Sequence, residues 1–347
     1  MSAAWRFAIS RLSPAGRRAR LSVLIFHRVL PDPDHLHPGE PTAAQFEQRL
    51  RWIKARFNVI SLAKAVEGLK SATLPERALS ITFDDGYADN HDLAAPVLAK
   101  LGMTATFFIA TGYLDGGVMF NDIVVEAVRR APPGPLDLSR CGLGVHDVSS
   151  TDAKRAAICA ILQAIKYKPA AARTRLAREV ADVACAGGVP RHLMMTGEQV
   201  GGLRRMGMDI GAHTVSHPIL ADIDASAARR EISEGRERLE SLIRAPIELF
   251  AYPNGEPGRD YGPEHVRLVR ELRFKGAVST ARGAAWAGSD PFQIPRFTPW
   301  DWRPSRAGTH LVRNLLSRPA VIPAEQVDAT SDHGRAPSNT LGSSAAE

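Results

Sequence analysis

The chain has 347 residues, 44% of them apolar and 23% charged, with a formal net charge of +7 and a pI of about 9.6. That length and apolar share support one large globular domain or two ordinary ones, and they exclude global disorder. The positive excess lies in scattered arginines and in the first segment (Arg6, Arg11, Arg17, Arg18, Arg20). No basic stripe interleaved with aromatics appears, so nucleic-acid binding is not expected. Residues 1–20, "MSAAWRFAISRLSPAGRRAR", read as a basic helical segment without the long apolar run of a secretory signal. It is expected to cap the domain, with peripheral contact at a membrane surface as the alternative. No stretch approaches the ~18–20 apolar residues of a membrane span. Cys141, Cys159 and Cys185 are odd in number and lack metal-type spacing, so they read as free thiols in a reducing compartment.

"LSVLIFHRVL" is the first strand, followed by the Pro-rich loop "PDPDHLHPGEP". Thr42 then opens a helix with a Thr-x-x-Gln capping box onto Gln45 and an apolar face through Phe46, Leu50 and Ile53. "ALSITF" is the second strand. A helix over about 93–101 ends at Gly102, and "TATFFIA" is the third strand. Continuous apolar strands in the order β-α-β-α-β predict a parallel sheet covered by helices. Residues 116–193 break the regularity with an Ala- and Arg-rich helical stretch, interrupted by "PPGP". Strands resume at "MDIGA", "IELFAYP", "GAVST" and "FQIPRF". The expected fold is α/β, a distorted (β/α)7 TIM-like barrel over residues 21–318 carrying a helical insertion. Residues 319–347 are polar and aperiodic and read as a disordered tail.

In such a barrel, chemistry collects where strands end. His27 ends the first strand. Asp84 and Asp85, in "TFDDG", end the second. "GAHTVSHP" follows "MDI", and Tyr252, Pro253 and Asn254 follow "IELFA". His213 and His217 are four apart, so one helical turn puts both rings on one side. One added carboxylate makes a three-ligand set that leaves positions open, as catalytic zinc requires. Taken alone, "DDG" is good turn chemistry and HxxxH is weak. Together on strand ends they point to one rim.

"TFDDG" and "HTVSHP" resemble the first two motifs of the polysaccharide deacetylase family, the NodB-homology domain of carbohydrate esterase family 4. The resemblance spans about residues 23–297 apart from the insertion. It implies a metal-dependent hydrolase that removes acetyl groups from N-acetylated amino sugars, with Asp84 as the general base and Asp85, His213 and His217 as ligands. The implied ion is divalent, zinc first, with cobalt or nickel as alternatives. The third motif departs from the usual pattern. In "FAYPNG", Ala251 stands where most members have an arginine, which resembles the branch of poly-N-acetylglucosamine exopolysaccharide deacetylases. The backbone N–H of Asn254, beside Tyr252, remains suited to an oxyanion. Arg296 in "QIPRF" is the expected partner of Asp84. The usual late Leu-x-His is also missing, leaving His310 in a helix. The same branch places a histidine at the end of the first strand, so His27 is the expected acid for the leaving amine. Trp300 is a candidate wall for the sugar ring, weighed against core packing. Asp89 and Asn90 read as helix caps, with support of the metal site as the alternative, and His35 and His37 as a solvated loop, with substrate contact as the alternative.

The implied partner is a glycan, either a polymer or a lipid-linked oligosaccharide. The latter fits a cytoplasmic enzyme at the inner membrane face. Two other readings stand beside this one. A hydrolase of another non-peptide C–N bond in a small molecule is expected to show an altered ligand set. A catalytically decayed glycan-binding module draws on the displaced arginine.

Overall fold

The structure is a computed structural model that describes residues 2–184, 192–298 and 301–329. Six parallel strands pair in sequence order: β1 (Ser22–Phe26), β2 (Ala78–Phe83), β3 (Thr106–Ile109), β4 (Asp209–Ala212), β5 (Leu249–Ala251) and β6 (Gly276–Val278). Every residue of β1, β2 and β3 is buried. Their apolar runs lack polar alternation because both faces are covered. Phe26, Phe83 and Phe107 stack in series at 5.4 and 4.8 Å between ring centroids. The two-residue strand Asn58–Val59 pairs with the start of β2.

The sheet closes through residues 294–297. Ile294 bridges Val278 of β6, and Phe297 bridges Leu24 of β1, both in parallel sense. The Phe297 N–H donates to Val23 O at 2.8 Å and the Ser279 N–H to Ile294 O at 2.9 Å. The regular strand expected at "FQIPRF" is therefore reduced to two isolated bridges. Pro295 has no N–H to add to a ladder. Six strands and this seventh stave complete the expected (β/α)7 barrel.

Around the barrel, the capping box at Thr42 forms as read, and Phe46, Leu50 and Ile53 bury the inner face of helix Ala43–Lys54. In the N-terminal helix Ser2–Leu12, Ile9 is buried while Phe7 is exposed. No described helix is long and apolar enough to cross a membrane.

Between β3 and β4 the chain makes a separate small core. Helices Phe120–Arg130, Thr151–Ile165 and Ala170–Val183 enclose Val124, Val128, Ile161, Ile165 and Val180. This region is not wholly helical as expected. Pro135–Asp137 and Val145–Asp147 form an antiparallel hairpin. Its connection uses Gly142 and Gly144 at positive φ. The far end of the insertion reaches back over the barrel, where the Tyr167 ring lies 4.4 Å from the guanidinium of Arg259.

The tail expectation fails for its described part. Helix Ala324–Ala329 follows an extended segment, and Ile322 and Val327 are buried. Gln293 fixes the segment by accepting from Ile322 N at 2.8 Å and donating to Ile322 O at 3.0 Å. The apolar residues of this stretch show no periodicity, yet two buried ones, Ile322 and Val327, suffice once a barrel surface is there to receive them. Residues 330–347 lie outside the described residues.

Candidate active site

At the end of β2 the chain turns sharply. Asp84 keeps its strand contact, its N–H donating to Phe26 O at 3.0 Å. Asp85 (φ +76°) and Gly86 (φ +94°) are both left-handed. Gly86 also lies against Ile109, where a Cβ would sit 3.0 Å from the side chain. Asp85 is a non-glycine residue in a costly region, a form of strain that gathers at functional sites. The two carboxylates thereby meet different partners.

Asp84 meets Arg296. The guanidinium donates Nη1 to Oδ1 at 2.6 Å and Nη2 to Oδ2 at 2.7 Å, a two-pronged pair. Its Nε donates to Ser279 O at 3.0 Å, which aims the fork. Arg296 is 1% exposed and Asp84 3%. Burial pushes the Asp84 carboxyl up, but Arg296 and then His213 outweigh it and hold it below the usual carboxylate range.

Asp85 meets the two imidazoles. Its Oδ1 lies 3.6 Å from His213 Nε2 and 3.5 Å from His217 Nε2, and the ligand atoms of all three fall within 4.8 Å of one another. A tetrahedral ion with bonds of about 2.0–2.1 Å separates its ligands by about 3.3–3.4 Å, so this O, N, N set fits a zinc-like cation. The His213 Nδ1–H donates to Ala251 O at 2.7 Å, leaving Nε2 as the free lone pair. Burial, with His213 adding to it, lowers His217 to about 4, so it is neutral, the ligating form. Burial lowers His213 too, but Asp84 and Asp85 together raise it.

Residues 213–217 are not the helical turn expected of HxxxH. They form a tight loop with Thr214 (φ +65°) and His217 (φ +52°) left-handed. Glu231, on helix Ala225–Ile243, shapes it by accepting from Val215 N at 2.9 Å, Ser216 N at 2.8 Å and Ser216 Oγ at 2.6 Å. Gly235 on the same helix lets the loop approach, since a Cβ there would sit 2.8 Å from Thr214 C and O.

These groups open into a cavity of about 610 Å³ lined by His27, Asp84, Asp85, His213, His217, Asn254 and Thr280. The His27 imidazole is exposed to it and close enough to both acids to lower them. Asn254 is left-handed (φ +58°), and its carbonyl accepts from Thr280 Oγ1 at 2.7 Å. No acceptor for its N–H is found among the described residues. Tyr252 is elsewhere. Its ring is fully buried, stacked 3.9 Å from Tyr261, and its hydroxyl donates to Phe292 O at 3.1 Å. Both residues lie past the end of β5, where the left-handed turn at Asn254 ends the strand's alternation. Trp300 lies outside the described residues, while Trp302 packs against Phe26.

Further side chains shape the site from outside its motifs. Asp89 stands at the N-cap of the turn Asn90–Ala94, but its side chain makes no capping hydrogen bond. Asp89 accepts from Arg28 Nε at 2.8 Å and Val29 N at 3.3 Å, and Asn90 Nδ2 donates to His27 O at 2.8 Å. They fix the chain beside His27. His37 lines the cavity rather than lying free. Asp122 and Glu231 carried no local signal, because both look like ordinary helix acids.

A parallel (β/α)7 barrel with a His, His, Asp pocket and a second, arginine-bound acid at one rim defines a class of hydrolase scaffold. The family profile for polysaccharide deacetylase matches residues 71–132 and 156–276. The Bacillus subtilis (strain 168) protein YxkH, named as a polysaccharide deacetylase, is 33% identical over 269 residues, 77% of this chain and 67% of that one. Two solved structures share the fold. Streptococcus pyogenes deacetylase PplD, in complex with acetate, superposes with a TM-score of 0.55 at 16% identity, covering 86% of this chain and 98% of that one. IcaB from Ammonifex degensii superposes with 0.54 at 18% identity over the same shares. The chain belongs to the polysaccharide deacetylase family.

Proposed function

We propose that this protein hydrolyses N-acetyl groups on an N-acetylated amino-sugar polymer or lipid-linked oligosaccharide, with a divalent cation, zinc first, held by Asp85, His213 and His217. The observation that carries the reading is the fully buried Arg296–Asp84 fork beside that ligand set. When bound, such an ion supplies polarisation of the acetyl carbonyl and acidification of water.

The chain's own groups divide the remaining work. Asp84 is ionised and held in one orientation, so it is the base that accepts a proton from the attacking water. Asn254 N–H donates to the carbonyl oxygen as it gains charge. His27, open to the cavity, returns a proton to the departing amine. Water adds across the amide C–N bond, giving acetate and a free amine. Among solved neighbours, a de-N-acetylase from Aggregatibacter actinomycetemcomitans shares the fold with a TM-score of 0.51, and its name supports an N-linked acetyl group here. The basic N-terminal segment, with Phe7 exposed between Arg6 and Arg11, supports a setting at a membrane surface.

The test is acetate release from chitooligosaccharides and lipid-linked acetylated sugars, with chelation and metal add-back. The expected result is release abolished by EDTA and restored by zinc, cobalt or nickel. Release indifferent to chelation, or none on any acetylated sugar, overturns the reading.

A further inference from the structure

The insertion faces the catalytic cavity with an apolar surface and one buried acid. Phe120, Ile158 and Leu162 line one side of the cavity, and Asp122 lines it from the first turn of helix Phe120–Arg130. Asp122 is 4% exposed. Among the described residues, its one hydrogen-bond donor is the Tyr87 hydroxyl, at 3.1 and 3.3 Å from its two oxygens. Arg28, whose charge reaches Asp122, is already committed. Its Nε donates to Asp89 at 2.8 Å, and its guanidinium lies 4.7 Å from the Tyr87 ring centroid. Burial pushes the Asp122 carboxyl up to about 7, with Arg28 opposing and Asp85 adding to the rise.

An acid buried beside one neutral donor weakens the fold. An amide or an apolar side chain would serve a structural role better. What the carboxyl offers is acceptor capacity toward the cavity, since one phenol uses only part of it. A surface that sets an aromatic and two aliphatic side chains beside polar groups, the buried Asp122 carboxyl and the Asn121 amide among them, matches a pyranose, which has an apolar C–H face and a rim of hydroxyl donors.

We propose that Asp122, Tyr87 and the Phe120–Ile158–Leu162 wall form a sugar-binding subsite built by the insertion, with Asp122 accepting a ring hydroxyl of an N-acetylated pyranose. The identity of that sugar rests on the deacetylase reading.

The test is calorimetric titration of N-acetylglucosamine tetramer into zinc-loaded His27→Ala protein, in which turnover is impaired. Asp122→Ala, Asp122→Asn and Leu162→Ser are then added singly to that parent. Asp122→Ala is expected to raise Kd by about tenfold or more. Asp122→Asn, which keeps one carbonyl acceptor, should raise it less, and Leu162→Ser severalfold, with zinc content unchanged in all three. Variants that all bind within twofold of the parent, or a parent that does not bind the tetramer, overturn the subsite. Binding lost only together with zinc also overturns it. Binding that follows the expected order, with no acetate released by the wild-type protein, keeps the subsite and removes the deacetylase reading.

Discussion

In the proposed mechanism, Asp84 and Arg296 are one pair of residues that sets both chemistry and stability. A fully buried carboxylate is tolerated because two guanidinium nitrogens reach it at 2.6 and 2.7 Å. Arg296→Ala leaves that acid unpaired, so urea denaturation should show a loss of about 3–5 kcal/mol. Acetate release should fall by about 10²-fold or more, because the base loses its orientation. Arg296→Lys restores a charge but not the fork and should recover only part of either loss. Asp122 makes the opposite case. Its carboxyl is raised from 3.8 to about 7, so between those values the folded chain holds a proton that the unfolded chain has released. Stability therefore falls as pH rises from about 4 through 7, by as much as about 4 kcal/mol. Asp122→Asn should remove this slope. Its melting temperature relative to wild type should be higher at pH 8 than at pH 5, and equal differences at both pH values would refute the assignment.

At the scale of elements, the 213–217 loop shows why spacing is informative before geometry is. HTVSH brings His213 and His217 together, yet through a loop with two left-handed residues rather than a helical turn. The sequence holds the ring pair but not its scaffold, because Glu231 and Gly235 arrive from a helix many residues later. Glu231→Gln removes the charge from three bonds that shape the loop. A chromogenic-chelator competition should report zinc affinity lowered about 10- to 100-fold with the far-ultraviolet circular dichroism unchanged. The Thr42 capping box was legible because both partners lie within one turn. The 135–147 hairpin was not, since three-residue strands carry too little alternation to separate from a helical background. Asp122 stayed hidden for a related reason. "MFNDIVV" reads as a helix start, and only topology brings that start to Tyr87.

Across the whole molecule, strand order was legible because buried parallel strands announce themselves as apolar runs. The closing stave was harder, since Pro295 removes the ladder that would mark it. The proposed ligand set would also couple metal to stability. An ion that binds only the folded chain stabilises it by about 2.7 kcal/mol at a hundredfold excess over Kd. EDTA should accordingly lower the melting temperature of zinc-loaded protein, and zinc should restore it. An unchanged transition under both conditions would show that Asp85, His213 and His217 hold no ion.

The stave over residues 294–297 has a consequence for synthesis. A nascent chain that has emerged only as far as Gln293 already carries Asp85, His213, His217, His27 and Asn254, but not the arginine that grips Asp84. The last stave both shuts the barrel and brings in the arginine. A ribosome stalled before codon 296 would therefore display every proposed ligand on a chain whose base has no fixed orientation. Completing the wall and switching on the chemistry become a single event.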